Sequence, residues 1–183
     1  MLILAAAQEE LGELQGEVVG IGSIVAAANA ARLIERHHPE RVVLLGTGSA
    51  YPAGPAIGNA IVGGRFGLAY GVEALGLAYV PRAPAPISSD PELVARIGLP
   101  QHNILTAGAV TTDLDLAERL SDGWTVEHLE AYGIAHACAQ AGIPFTAVIG
   151  ITSQVGPEAH LQWLTHRDEA QQAARRAITP LLN

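Results

Sequence analysis

Two uninterrupted apolar runs, residues 41–46 (RVVLLG) and 144–151 (PFTAVIGI), constrain the fold of this 183-residue chain more than any other feature. Strands with one face in solvent alternate apolar and polar residues, whereas strands covered on both faces are apolar throughout. Shorter runs at residues 1–7, at 17–22, where the run breaks at glycines, and at 103–107 are further predicted strands. Helix-like segments separate these runs, so the sequence predicts an α/β fold.

Five segments carry apolar residues at helical spacing: about 24–37, 90–97, 113–120, 127–141 and 157–182. Ser23 is a suitable N-cap for the first of them, and Gly142 is placed to end the fourth. The small-residue segment 47–52 is predicted to be a loop. Residues 52–91 are predicted to contain irregular strands and loops.

The composition limits the classes of function. Hydrophobic residues make up 49% of the chain and charged residues 15%, which favours one core and a single domain over residues 1–183. The net charge is -8 and no basic cluster occurs, so we expect no nucleic-acid partner. No apolar run approaches the roughly 20 residues that span a bilayer. We therefore expect no membrane partner and a cytoplasmic location.

Several common sites are not supported by the sequence. Cys138 is the only cysteine, and the histidines lack ligand spacing such as HExxH, so no metal site is predicted. Gly20 and Gly22 lie between a strand and a helix, but the third glycine of a dinucleotide fingerprint is missing. Ser49 is not in a GxSxG turn and is interpreted as a hydrogen-bonding loop residue. We expect no cofactor.

Ligands of α/β sheets gather where parallel strands end. Residues 8–10, 20–23, 47–51, 106–110 and 152–154 directly follow the predicted strands. Among them Glu10 stands at the edge of the core, and Glu130 opens an otherwise apolar helix. Taken singly, each carboxylate is more typical of a surface residue or helix cap.

Taken together and in this order, these segments resemble the 5′-methylthioadenosine/S-adenosylhomocysteine nucleosidases and the related nucleoside phosphorylases. The resemblance covers most of the chain and is strongest at its C-terminal part. The matching segments are residues 7–11 (AQEEL), 20–27 (GIGSIVAA, for GxGKxxAA), 45–50 (LGTGSA, for NTGSAG), 129–131 (LEA, for Met-Glu-[Ala/Ser]), 134–138 and 142–149.

This resemblance implies a three-layer α/β/α fold with a central mixed sheet, and a site for a small-molecule nucleoside. It also implies a homo-oligomer, a dimer or higher, because relatives complete their pockets with a neighbouring subunit. Glu10 would activate water and Glu130 would bind the ribose hydroxyls. The other implied site residues are Leu129 in the sugar pocket, Ser49 beside the sugar or water, Val110 near the base, and Ser153 and Gln154 after the last strand.

Two departures from the family pattern bear on the reaction. The family's Ile-Ser-Asp is Thr152-Ser153-Gln154 here, and an amide donates a hydrogen bond but not a proton. The site could therefore recognise a 6-oxopurine, use a leaving base that needs no full protonation, or be slow or inactive. Phosphorolytic relatives place an arginine just before the glycine-serine turn, where this chain has Gly46.

Water is therefore the favoured nucleophile. The sequence predicts a nucleosidase for a purine nucleoside or a 5′-modified relative, with a futalosine hydrolase as one member of that group. A phosphate-dependent phosphorylase and a catalytically impaired nucleoside-binding protein are the alternatives.

Overall fold

A computed structural model describes residues 1–182 and consists of strands and helices in alternation. The strands are β1 (Leu2–Ala5), β2 (Glu17–Val18), β3 (Val42–Ala50), β4 (Ala60–Ala69), β5 (Ile87–Ser88), β6 (Gln101–Ala107), β7 (Val126–His128) and β8 (Phe145–Gln154). The helices are α1 (Gln8–Leu11), α2 (Ser23–His37), α3 (Pro91–Ile97), α4 (Leu114–Leu120), α5 (Ala131–Ala141) and α6 (Ala159–Ala177), followed by a 3₁₀ helix (Thr179–Leu181).

All eight strands belong to one mixed sheet, which confirms that part of the prediction. β3 is parallel to β1 and β8, whereas β4 is antiparallel to β8 and parallel to β6. β7 is parallel to β6 and returns to pair antiparallel with the end of β3. The strands β3, β8, β4, β6 and β7 therefore form a closed ring. β1, β2 and β5 extend the sheet outside that ring.

Helices cover both sides of β3. Leu44 packs in an apolar cluster that includes residues of α2 and α5, whereas Val43 and Leu45 pack in a second cluster with residues of α3 and α6. Because successive side chains of a strand point to opposite faces, an apolar run is what a strand between two such clusters requires. Each fully buried side chain of this kind contributes about 1.5–3 kcal/mol to stability.

Three predictions for strands of the ring are wrong in part. The predicted loop 47–52 is largely strand, because β3 continues to Ala50 in register with β8. The region 52–91 contains the ten-residue strand β4, which pairs on both sides despite its three glycines. The predicted helix 127–141 begins only at Ala131, because residues 126–128 pair with β3 and β6.

Some helix ends follow local signals, but the prediction of Ser23 as an N-cap is wrong, because Ser23 is the first residue of α2 and Gly22 is its N-cap. Asp90 and Asp113 cap α3 and α4 by accepting the backbone N–H groups of Leu93 and Leu116. The final helix is shorter than predicted and ends at Ala177, ahead of the 3₁₀ turn that contains a proline. Among residues 1–182, no helix is both long and apolar enough to cross a membrane.

Candidate active site

Glu10 lies at the carboxyl end of β1, on the short helix α1. Its Oε2 accepts hydrogen bonds from the backbone N–H groups of Ala6 (3.0 Å) and Ala7 (3.3 Å). Its Oε1 accepts from the backbone N–H (3.0 Å) and the hydroxyl (3.1 Å) of Thr47 on β3. The side chain is buried, and burial raises its pKa, with a further rise from the carboxylate of Glu130 and an opposing effect of His128. A carboxylate with a raised pKa is suited to accept a proton near neutral pH.

An arginine from the other end of the chain holds α1 in place. The guanidinium of Arg175, on α6, donates to the backbone carbonyls of Glu9 and Glu10, both at 3.1 Å. These carbonyls have no intrahelical partner at the end of a helix, and a cation there is favourable. The position of Glu10 therefore depends on α6 as well as on β3.

Glu130 lies between β7 and α5 and faces the N-terminus of α2. Its Oε1 accepts the backbone N–H of Gly22 at 2.7 Å. Gly22 has φ 92°, a conformation that favours glycine, and this turn aims its N–H at the carboxylate. Glu130 is only 5% exposed, and burial raises its pKa, while its hydrogen bonds lower it.

His128 stands between these two carboxylates and was not predicted from the sequence. Its Nδ1 accepts the backbone N–H groups of Glu130 (3.0 Å) and Ala131 (3.2 Å) and lies 3.1 Å from Oε2 of Glu130. Its Nε2 lies over Gly46, where an added methyl group would be 2.9 Å from Nε2 and 3.5 Å from Oε1 of Glu10. Burial lowers the pKa of His128 to about 4. Its place two residues before Glu130 was the only signal in the sequence.

A β-bulge in β8 decides which of the predicted residues share a face. The pairing of β3 with β8 gains one residue on β8 at Thr152, so that Ser49 lies beside Ser153 and Ala50 beside Gln154. The hydroxyls of Ser49 and Ser153 hydrogen-bond at 2.7 Å. By strand alternation these serines lie on the face of β3 that carries Thr47, and Gln154 lies on the face that carries Gly46.

The predicted base-contacting residues lie around the turn after β8. Val110 is half exposed on the loop that follows β6. The next residue, Thr111, accepts the backbone N–H of Gly156 at 3.1 Å, so this loop adjoins the turn after Gln154. The backbone N–H of Gln154 donates to the side-chain oxygen of Gln162 at 2.8 Å.

The sequence also gave no sign of the buried carboxylate Glu127. It accepts the hydroxyl of Tyr51 at 3.0 Å and the backbone N–H of Thr111 at 2.9 Å. Burial raises the pKa of Tyr51, and the negative charge of Glu127 raises it further. This network ties β3 to β7 and fixes the loop that bears Val110. Leu129, half buried, lies between the two buried side chains of His128 and Glu130.

The structure therefore brings Glu10 and Glu130 together, joins Ser49 to Ser153, and places Val110 beside the turn that follows Gln154. Two shallow surface grooves lie beside β5 and α3, and none of the seven predicted site residues lines either of them. Within residues 1–182 no group of three or more His, Cys, Asp and Glu side chains has the arrangement of a metal site.

This chain is similar in sequence to several known proteins. A futalosine hydrolase of Thermus thermophilus is 29% identical, over 89% of this chain and 78% of that protein. A 5′-methylthioadenosine/S-adenosylhomocysteine nucleosidase of an Exiguobacterium species is 28% identical, over 84% of this chain and 73% of that protein. In sequence the chain is therefore similar to hydrolases of the nucleoside phosphorylase and nucleosidase superfamily. No protein-family model matches it.

Solved structures of the superfamily share its fold. The 5′-methylthioadenosine/S-adenosylhomocysteine nucleosidase of Neisseria meningitidis, in complex with methylthio-immucillin-A, has a TM-score of 0.83 at 18% identity and covers 99% of this chain and 97% of its own. A futalosine hydrolase mutant of Helicobacter pylori has a TM-score of 0.87 at 15% identity, over 98% and 96%. At these identities the likeness is one of fold.

Proposed function

We propose that this protein is a nucleosidase that hydrolyses the N-glycosidic bond of a purine nucleoside. The observation that carries the proposal is the pair of buried carboxylates, Glu10 and Glu130, close enough for the charge of one to raise the pKa of the other. Glycosidic cleavage needs a base for water and acceptors for the sugar hydroxyls, and carboxylates serve both purposes. The similarity to a futalosine hydrolase and to a 5′-methylthioadenosine/S-adenosylhomocysteine nucleosidase supports the same reaction.

In the proposed reaction the water oxygen bonds to the anomeric carbon of the ribose as the bond to the purine nitrogen breaks. The proton of the water passes to Glu10, and the purine leaves with the electron pair of the broken bond. Four donors hold the Glu10 carboxylate in a fixed orientation. Glu130 accepts the ribose hydroxyls through Oε2, since its Oε1 already accepts from Gly22.

We propose that the base lies towards Gln154 and Val110, with Leu129 beside the sugar and Ser49 and Ser153 supporting the end of β3. The Gln154 amide donates one hydrogen bond and accepts another, which suits the N–H and carbonyl edge of a 6-oxopurine. Recognition of a 6-oxopurine by Gln154 favours a futalosine hydrolase-like substrate over an adenine nucleoside. A proton on the leaving base is not available from an amide.

Incubation with a 6-oxopurine nucleoside, futalosine and 5′-methylthioadenosine, with and without phosphate, tests the proposal by chromatography of the released base. We expect release without phosphate and a loss of about 100-fold or more in Glu10→Gln, the range of general base catalysis. Glu9→Gln is the matched control, because the neighbouring Glu9 is exposed. Release only with phosphate would favour the phosphorylase, and binding without release would favour the nucleoside-binding protein.

We further propose that the chain self-associates and that its layers are α/β/α. Large apolar side chains are exposed near the start of α2, where Ile24 is 87% exposed, and on the 70–82 segment, which includes Leu77 and Tyr79. Light scattering that gives a monomer at micromolar concentration would contradict self-association. The two helix groups, on the two sides of β3, support the layers. The single-domain organisation and the cytoplasmic location stay predictions.

A further inference from the structure

His128 is buried, contacts Glu130 and lies near enough to Glu10 to affect its pKa, and the reaction proposed above does not use it. We propose that His128 is a positioning residue: its Nδ1 anchors the start of α5, and its Nε2–H is a fixed donor on the Glu10 side of the sugar site. This inference rests on the proposed function.

The hydrogen bonds of the ring determine its tautomer. Nδ1 accepts from two backbone N–H groups, those of Glu130 and Ala131, so it carries no proton. The N-terminus of α5 lies at the same point, and the positive end of a helix disfavours a charged imidazolium. The neutral ring then has its single proton on Nε2.

The glycine at position 46 determines where that proton lies. A Cβ atom added to Gly46 would lie 2.9 Å from Nε2 of His128, and 3.5 Å from both Oε1 of Glu10 and Cδ1 of Ile149. A neutral N–H therefore faces the space next to the proposed base. A donor there can hold the attacking water or a ribose hydroxyl without adding a charge that would weaken Glu10 as a base.

The same ring prepares Glu130 for the sugar. Its Nδ1 and Oε2 of Glu130 are both acceptors, yet they lie 3.1 Å apart. Two acceptors at this distance repel each other unless a hydrogen atom reaches one of them. A ribose hydroxyl that donates to Oε2 relieves this conflict, so binding of the sugar is favoured over an empty site.

Two substitutions separate the roles of the two nitrogens. In His128→Asn the side-chain oxygen can replace Nδ1 as acceptor for the backbone of α5, but no atom reaches the place of Nε2. In His128→Gln the amide nitrogen reaches that place, but the acceptor is lost. We expect kcat of the Asn variant to fall about 2- to 10-fold, the effect of losing one hydrogen bond between neutral groups.

In the Gln variant we expect kcat to be largely retained while thermal stability falls. Gly46→Ala tests the same role of Nε2, because its methyl group displaces the imidazole of His128 without changing that side chain. It should lower kcat in the same way. Wild-type kcat in both His128→Asn and Gly46→Ala would overturn the positioning role.

The tautomer is measured without any substrate, by nitrogen-15 NMR of the histidine rings, with His128 assigned by its absence from the Gln variant. We expect a protonated Nε2 and an unprotonated Nδ1 at neutral pH. A protonated Nδ1 would overturn the inference even if the protein is a nucleosidase. If the wild-type protein releases no base, the proposed function fails and the positioning role fails with it, whatever the tautomer.

Discussion

Acidification should destabilise this protein through His128, and the size of the effect follows from its burial. The pKa of a histidine is about 6.5 in an unfolded chain, and in the folded protein burial lowers that of His128 to about 4. Above pH 6.5 the ring is neutral in both states and contributes nothing to the pH dependence. Between about pH 6.5 and pH 4 the unfolded chain binds a proton that the folded protein excludes, so the free energy of unfolding falls as the pH falls. At about 1.4 kcal/mol per pH unit, the full loss is about 3 kcal/mol at pH 4.

Glu10 and Glu130 act in the opposite direction. Because their pKa values are raised on folding, the folded protein takes up their protons more readily than the unfolded chain does. Their contribution favours the folded state at low pH and is lost as the pH rises through the raised values. The effect of His128 must therefore be measured as a difference between proteins.

The assay is urea unfolding of the wild-type protein and His128→Asn at pH 7 and pH 4.5. The variant keeps both carboxylates, so we expect the wild-type protein to lose more stability than the variant on acidification, by up to about 3 kcal/mol. His160→Asn is the matched control, since His160 is exposed on α6 and should leave the loss unchanged. An equal loss in the wild-type protein and His128→Asn would refute the burial of a neutral imidazole at this position.

Three further predictions concern binding of the sugar, release of the base and the packing of β8 against α6. Glu130→Gln should raise KM for the nucleoside more than it lowers kcat, because an amide replaces the acceptor for the hydroxyls; steady-state kinetics measure both. Gln154→Asp should raise the release of adenine from 5′-methylthioadenosine, up to the roughly 10²–10⁴-fold of general acid catalysis, and no gain would contradict the role of this amide. Gly150→Ala should lower the free energy of unfolding by about 1–3 kcal/mol or more, because its methyl group meets the backbone carbonyl of Ala170. Gly108→Ala, which meets nothing, is the control for that measurement in urea.

The sequence alone determined the elements with strong local signals. The apolar runs predicted β1, β3 and β8 because strands buried on both faces are apolar throughout. The helical patterns at about 90–97 and 113–120 predicted α3 and α4, and the structure shows that Asp90 and Asp113 cap them. The carboxylates Glu10 and Glu130 stood out by their positions after a strand and before an apolar helix, and the family resemblance joined them.

The tertiary structure decided what depends on partners far away in the sequence. β4 has a strand conformation because β6 and β8 pair with it, and its glycines conceal the pattern. The bulge at Thr152 determines that Gln154, and not Ser153, shares the face of Gly46. Apart from the nearby Glu130, the sequence around His128 carries no functional signal. Its proposed role follows from its position next to Gly46, which has no side chain, and near the carboxylates of Glu10 and Glu130. Such contacts form only when the ring of strands closes. Local propensity does not indicate which residues, distant in the sequence, then come into contact.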